Sequence, residues 1–390
     1  MLPQNPACLV DATYAETKGV RCHAWLYLPT PKDMGEGAGG GGDSAAPELP
    51  PVVLMGHGMG AQKDMGLEKY AASFTERGIA SFVFDYRTFG GSDGMPRHYV
   101  EPWRHVEDYI AALDYIRGPD LSDVVDSSRV ALWGTSFAGG HVLNVAAADN
   151  VPSRVGDIRA IVSQVPHLDG RAASKKSLEK RGLAGSLQMA AAVIGDTLRG
   201  LLGMEARYVA IVGCDGDVAM MTLSDEGCDV YFAKHPKVTL GGWRNQVCAR
   251  VGALVGMYSP MKAVPQIKAP ILFVAAEYDE QCPADKVREA MSQAHDAKLS
   301  LHFTSHFDMY SGEILEVRAA AMLFPVQKLV ACAPGPLVLY GRFLHTAVVP
   351  PGLKIIEKEL VGVPAVPRSP KRRAVRIISQ GKACPHERGF

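Results

Sequence analysis

The stretch LWGTSFAGGH (132–141) sets a serine, Ser136, between Gly134 and Ala138, with Gly139 and Gly140 following. A serine hydroxyl is a poor nucleophile until an imidazole removes its proton and a third group fixes the ring's tautomer and direction. A tight turn from a strand into a helix exposes such a serine, and small residues are needed there because strand and helix nearly touch. The run RVALWG (129–134) reads as that strand and the residues beyond Ser136 as that helix. The motif for such a turn is G-x-S-x-G. Ala138 stands at its last glycine, a departure that a methyl group permits while φ stays negative.

When the nucleophile comes first in the chain, the acid follows a later strand and the histidine comes last. His306 follows LSLHFT (299–304) and Asp279 follows APILFVAAE (269–277), so both fall where strands should end. Glu277, slightly earlier, and Asp169, after the run ending in QVP, compete with Asp279 for the acid's place. The charge that develops on the attacked carbonyl oxygen needs two backbone N–H donors. Phe137 offers one, and the loop GHGMGAQ after PVVLM (51–55) offers the other at Met59. His57 in that loop reads as a brace for the loop rather than a catalytic group.

These residues need a scaffold. CHAWLYLP (22–29) reads as an early strand and is followed by a glycine-rich loop, MGEGAGGGGDSAAPELPP. Apolar strands and amphipathic helices then alternate: PVVLM, a helix over 68–76, IASFVFD (79–85), a helix over 106–118, RVALWG, the helix after Ser136, and IRAIVSQVP (158–166). Such alternation predicts a mostly parallel sheet with helices on both faces. From 169 to 263 the sequence becomes helix-rich, with SLQMAAAVIGDTLRGLLGM and one hairpin expected in YVAIVGCDGDVAMM. The sheet pattern resumes with APILFVAAE, the helix ADKVREAMSQA and LSLHFT; a last helix should begin near Glu313 and stop before Pro325. The division expected is a core over 1–168 and 264–324, a cap over 169–263, and an extension over 325–390, poorly ordered, with a basic run SPKRRAVR.

Composition narrows the function classes. Lys plus Arg and Asp plus Glu number 41 each in 390 residues, 47% of them hydrophobic. The chain can bury a large core, and no global field draws it to nucleic acid or an anionic membrane. A small, mostly uncharged ligand fits that balance. Eight cysteines without a C-x-x-C pair, a start that lacks a secretory pattern and no run long enough for a bilayer predict reduced thiols in a cytoplasmic protein. Met189, Met204 and Met257 are expected to pack the cap, Trp243 to anchor it, His141 to pack or face solvent, and Arg87 and Asp93 to shape a loop.

A second function class competes. GHGMGA also fits G-x-G-x-x-A after a strand, and Asp85 ends the next strand, which together make a dinucleotide fingerprint. That reading requires the glycine turn to open directly into a helix, and Gly66 speaks against one begun at Gly58. A binding protein with a dead catalytic core is the third class, opposed by the presence of all three triad candidates.

With these residues in view, the chain resembles the α/β-hydrolase superfamily, in particular its dienelactone-hydrolase-like or Xaa-Pro-dipeptidyl-peptidase-like branch. The resemblance rests on GHGMGAQKD (56–64), FDYRTFGGSDGMPR (84–97), LWGTSFAGGH, SQVPHLDG (163–170), WRNQV (243–247), YSPM (258–261), APILFVAAEYDEQCP and HFDMYSGE (306–313). It implies an eight-stranded, mostly parallel sheet, a helical cap between the sixth strand and the acid-bearing strand, and the triad Ser136, Asp279 and His306. The resemblance names no substrate; the residues themselves lead us to expect a serine hydrolase acting on a carboxylic ester or thioester, with acyl transfer or peptidase-like hydrolysis on the same triad as the alternatives. The substrate would be a small acyl compound, and neither metal nor organic cofactor is implied.

Overall fold

The structure, a computed structural model, describes residues 8–15, 19–30, 48–149, 158–214, 216–234, 243–310, 324–325, 328–329 and 355–357. All of them fall in the compact unit Met1–Glu357. The glycine-rich loop, the expected helix near Glu313 and the run SPKRRAVR lie outside the described residues.

The main sheet is built from β1 (Cys8–Ala15), β2 (Arg21–Leu28), β3 (Pro51–Gly56), β4 (Ala80–Phe84), β5 (Asp126–Thr135) and β6 (Ile158–Gln164). The order in space is β1-β2-β4-β3-β5-β6, continued by three later strands. Every residue of β3 and of β4 is buried. Strands covered on both faces read as unbroken apolar runs, and this is why PVVLM and SFVF carry no polar alternation. Burying a side chain such as Phe82 or Leu54 stabilises the fold by roughly 1.5–3 kcal/mol each, and both are fully enclosed. The covering helices are α1 (Leu67–Thr75), α2 (Pro102–Ile116) and α3 (Phe137–Asp149). Proline opens α2 at its first turn, where its missing N–H costs no helical bond.

After β6 the chain leaves the sheet and forms α4 (Gly170–Leu201), β7 (Tyr208–Gly213), β8 (Ala219–Thr222), α5 (Asp225–Lys234), β9 (Val247–Cys248) and α6 (Val251–Val255). Helix α4 is broken at Gly182, whose φ of 68° and ψ of 178° are not helical. The expected hairpin in YVAIVGCDGDVAMM is corrected: β7 and β8 run parallel, with β9 antiparallel on the other side of β7. The chain between them crosses back instead of turning, and Leu223 N–H returns to Gly213 O, 2.9 Å away. The insertion is therefore mixed, a broken helix with a three-stranded sheet, where a helical cap was expected.

The same return brings α5 beneath the end of β7. Cys214 and Cys228 come within 5.8 Å between Cα atoms and form a disulfide, which corrects the expectation of reduced thiols for this pair. Cys22, Cys248 and Cys282 are buried and not disulfide-bonded.

The main sheet is completed by β10 (Ile271–Ala276), helix α7 (Ala284–Gln293), β11 (Ala297–His302) and the three-residue β12 (Ile355–Glu357). It thus has nine strands rather than eight, because a piece of the extension pairs antiparallel with β11. From β4 to β11 every pairing is parallel. Parallel register aligns the carboxyl ends: Thr135 lies opposite Gln164 and Ala276 opposite His302. Loops leaving β5, β10 and β11 therefore open on one sheet edge, the place where open α/β sheets bind ligands. Among the described residues no helix is long and apolar enough to cross a membrane.

Candidate active site

Ser136 follows β5 directly and precedes the first residue of α3 with φ 54°. A non-glycine residue in that region is strained by about 1 kcal/mol or more and persists only when its surroundings fix it. Here the surroundings do so. Ser136 N–H donates to Gln164 O at 2.8 Å, and its carbonyl accepts from His167 N–H at 2.9 Å and Gly140 N–H at 3.3 Å. A Cβ at Gly134 would lie 2.2 Å from the carbonyl oxygen of Ala138, so strand and helix meet as the small residues demanded. Ala138 is inside α3, not in a left-handed turn, which is why its methyl is tolerated.

His306 lies after β11 and puts Nε2 3.1 Å from Ser136 Oγ, while its Nδ1 lies 2.6 Å from Asp279 Oδ2. Ser136, Asp279 and His306 are all buried. The other carboxylate oxygen of Asp279 accepts from Gln281 N–H at 2.7 Å and Cys282 N–H at 2.6 Å. Those two bonds leave Oδ2 aimed at the ring. The competing acids are engaged elsewhere: Glu277 pairs with Arg288 at 2.5 Å, and Asp169 caps α4 by accepting from Arg171 and Ala172 N–H.

Phe137 begins α3, and the first N–H groups of a helix have no partner within it. Met59 and Phe137 line the same cavity as Ser136. The loop bearing Met59 is held from two sides. His57 Nδ1–H donates to Gly58 O at 3.0 Å, and Trp243 Nε1–H reaches Gly60 O at 2.8 Å. Ile211 packs on Gly60, where a Cβ would come within 2.6 Å of it. Burial pushes the His57 imidazole down to about 4, so the brace is neutral near pH 7.

Two neighbours of the triad escaped the sequence. Tyr310 places its hydroxyl 3.3 Å from His306 Nε2, and a Cβ on Gly58 would lie 2.8 Å from that hydroxyl. The one available signal was its spacing, four residues beyond His306 across a short 3₁₀ turn, Phe307–Met309. Cys282 lies beside the relay, its thiol kept neutral by burial and by the charge of Asp279. Ligand atoms of Asp279, Cys282 and His306 lie within 4.8 Å of one another, a donor set of the kind that holds a metal. A cation there would compete with the hydrogen bond between Asp279 and His306.

Above Ser136 a cavity of about 370 Å³ is walled by the insertion, with Met189, Val193, Met220, Met221 and Val255 among its lining. Met189 is buried as expected and also lines the cavity, while Met204 and Met257 are exposed, so the expected packing role is corrected for those two. Of the remaining expectations, Arg87 pairs with Asp108 and Asp93 with Arg21, and His141 is fully buried against Tyr258.

The dinucleotide reading is overturned by geometry. Helix α1 starts at Leu67, not at the glycine turn. Asp85 is fully buried and spends its oxygens on Lys63 N–H at 2.8 Å, Lys63 Nζ at 2.5 Å and Gly91 N–H at 3.0 Å. With both oxygens engaged and no exposed surface, it does not present a carboxylate to a ribose.

Comparison with known proteins places the chain in a family. Residues 47–307 match the family described as serine aminopeptidase, S33. The chain belongs to that family. It is 31% identical over 320 residues to the quorum-quenching protein AidA of Acinetobacter baumannii, covering 81% of this chain and 92% of that protein. Similarity to the acyltransferase drtE of Aspergillus calidoustus is 27% over 239 residues, with 60% and 72% covered. Among solved structures, the α/β hydrolase GrgF from Penicillium sp. sh18 superposes with a TM-score of 0.65 at 20% identity over 83% of this chain and 99% of that one. The fold of this S33 family member is accordingly that of the α/β-hydrolases, and the chain is an enzyme of that class.

Proposed function

We propose that this enzyme cleaves small carboxylic esters or thioesters through an acyl-enzyme, with Ser136 as nucleophile, His306 as general acid and base, and Asp279 as the group that orients the imidazole. The observation that carries this reading is the relay from Asp279 Oδ2 through the His306 ring to Ser136 Oγ, at 2.6 and 3.1 Å. Residues 169–263 act as the cap.

Ser136 Oγ attacks the carbonyl carbon as His306 Nε2 takes its proton. Negative charge collects on the carbonyl oxygen, where the N–H groups of Phe137 and Met59 receive it; each such donor is worth roughly 2.7–4 kcal/mol in the transition state. Collapse of the tetrahedral intermediate breaks the bond to the leaving alcohol or thiol, which departs with the proton from His306. Water, deprotonated by the same nitrogen, then attacks the acyl-enzyme and frees Ser136. Throughout, Asp279 stabilises the imidazolium and holds Nδ1–H away from the serine.

Similarity to an acyltransferase supports a second reading on the same residues, in which an alcohol or amine replaces water in the final step. The experiment is hydrolysis of p-nitrophenyl acyl esters by the wild type and by Ser136→Ala. Turnover should fall by about 10⁴-fold or more, and release of nitrophenol by the variant at an undiminished rate would refute the assignment.

A further inference from the structure

The cavity over Ser136 holds a cation that the reaction above does not use. Its walls are largely apolar, yet Arg181 and Ser186 line it as well. Arg181 precedes the break in α4 at Gly182. Its stem crosses Gly185, where a Cβ would lie 2.5 Å from Arg181 Cγ, so only glycine leaves the side chain that path. Nη2 donates to Ala219 O on β8 at 2.6 Å, which fixes the guanidinium plane. Among the described residues nothing accepts from its buried Nε–H, and Ser186 Oγ is equally without a partner.

Two acids of the insertion and its surroundings are engaged with other cations. Glu280 pairs with Lys180 and accepts from Ser224, and Asp196 binds Arg250 and the N–H of Arg207. Among the described residues Arg181 therefore sits half-buried without an ion-pair partner, and burial alone pulls its pKa down. A guanidinium stays charged under such conditions and offers a fork suited to a carboxylate. An alkyl end brought against it would leave it desolvated and unpaired, which is a penalty and hence a source of selectivity.

We propose that Arg181 is a specificity-determining residue that receives a carboxylate at the far end of the substrate's acyl chain. The preferred substrates are then half-esters or half-thioesters of dicarboxylic acids, with an apolar linker running along Met189, Val193 and Met221. The acyl half is assigned to this cavity because it remains attached to Ser136 after the leaving group departs. The inference rests on the serine-hydrolase reading.

The test is kcat/KM for p-nitrophenyl half-esters from adipate to sebacate, each against the alkanoate ester of the same carbon number. The ratio of the two is taken within one enzyme preparation, so any loss of folded protein cancels. In the wild type at least one length should favour the half-ester by about tenfold to a hundredfold, the worth of a charge-assisted hydrogen bond. Arg181→Met should bring that ratio below one, and Arg181→Lys should keep part of it. A ratio at or below one at every length, or one that Arg181→Met leaves unchanged, overturns the inference. Turnover of alkanoates without a carboxylate preference removes this inference alone, whereas failure to turn over any ester removes the reading beneath it.

Discussion

Replacing Asp279 by Asn tests the relay by changing one atom. In the wild type, Oδ1 accepts two backbone N–H bonds, from Gln281 at 2.7 Å and Cys282 at 2.6 Å. These donors are fixed by the turn and still demand an oxygen. An asparagine therefore keeps its carbonyl on them and turns its amide NH₂ toward His306, where Oδ2 lay 2.6 Å from Nδ1. A donor at that place forces Nδ1 to accept, so the ring proton moves to Nε2 and points at Ser136 Oγ, 3.1 Å away. The imidazole then has no lone pair with which to take the serine proton. The same tautomer error in a well-studied serine protease costs about 10⁴ in kcat with the geometry intact, and about 10⁴-fold is the loss expected here. Glu277→Gln is the control: its partner Arg288 is partly exposed, and such pairs contribute about 0–1 kcal/mol, so kcat should stay within about twofold. The assay is initial-rate hydrolysis of p-nitrophenyl esters, with circular dichroism to show that both variants fold. Asp279→Asn within tenfold of wild type, or a greater loss in Glu277→Gln, would refute the reasoning.

Gly134→Ala should destabilise by more than about 3 kcal/mol, the upper end of ordinary overpacking, because the new methyl would meet a backbone carbonyl at 2.2 Å; urea unfolding checks this, and a loss below 1 kcal/mol contradicts it. Cys214→Ser should cost about 3 kcal/mol by the loop-closure estimate for a bridge of sequence separation 14, seen as an equal drop when the wild type is unfolded with a reductant. Stability should also fall with acidification. Burial lowers His57 and His167 from 6.5 to about 4, so the unfolded chain binds protons that the folded chain refuses. Their contribution is complete above pH 6.5 and is lost as pH falls toward 4, at up to about 1.4 kcal/mol per unit for each ring. Asp64, raised by burial to about 6, has the opposite sign, adding stability at low pH that fades as pH rises. Urea midpoints measured across that range should fall toward acid, and a flat profile would contradict the assignment of neutral, buried imidazoles.

Much of the scaffold was legible because buried parallel strands advertise themselves. PVVLM, RVALWG and APILFVAAE are apolar without alternation, and each lies in a strand whose carboxyl end faces the site. Chain order then located Ser136, Asp279 and His306, since aligned strand ends place their following loops side by side. What stayed hidden depends on contacts between segments remote in sequence or on crossings that local turn signals do not specify. CDGD between two short apolar runs looks like a hairpin, yet β7 and β8 pair in parallel. Nothing in the spacing of Cys214 and Cys228 shows that α5 returns under β7. Arg181, in SLEKRGLAG, reads as one more charge on a helix surface; only the break at Gly182 and the room at Gly185 lay it into the cavity.

The measurement closest to the central claim is covalent labelling with a fluorophosphonate, read by intact mass and peptide mapping. An activated Ser136 should take up one phosphonyl group per chain, on the peptide containing Ser136, and His306→Ala should suppress the labelling rate by orders of magnitude. Absence of an adduct on folded enzyme, or an adduct on another residue that Ser136→Ala leaves in place, would contradict the account.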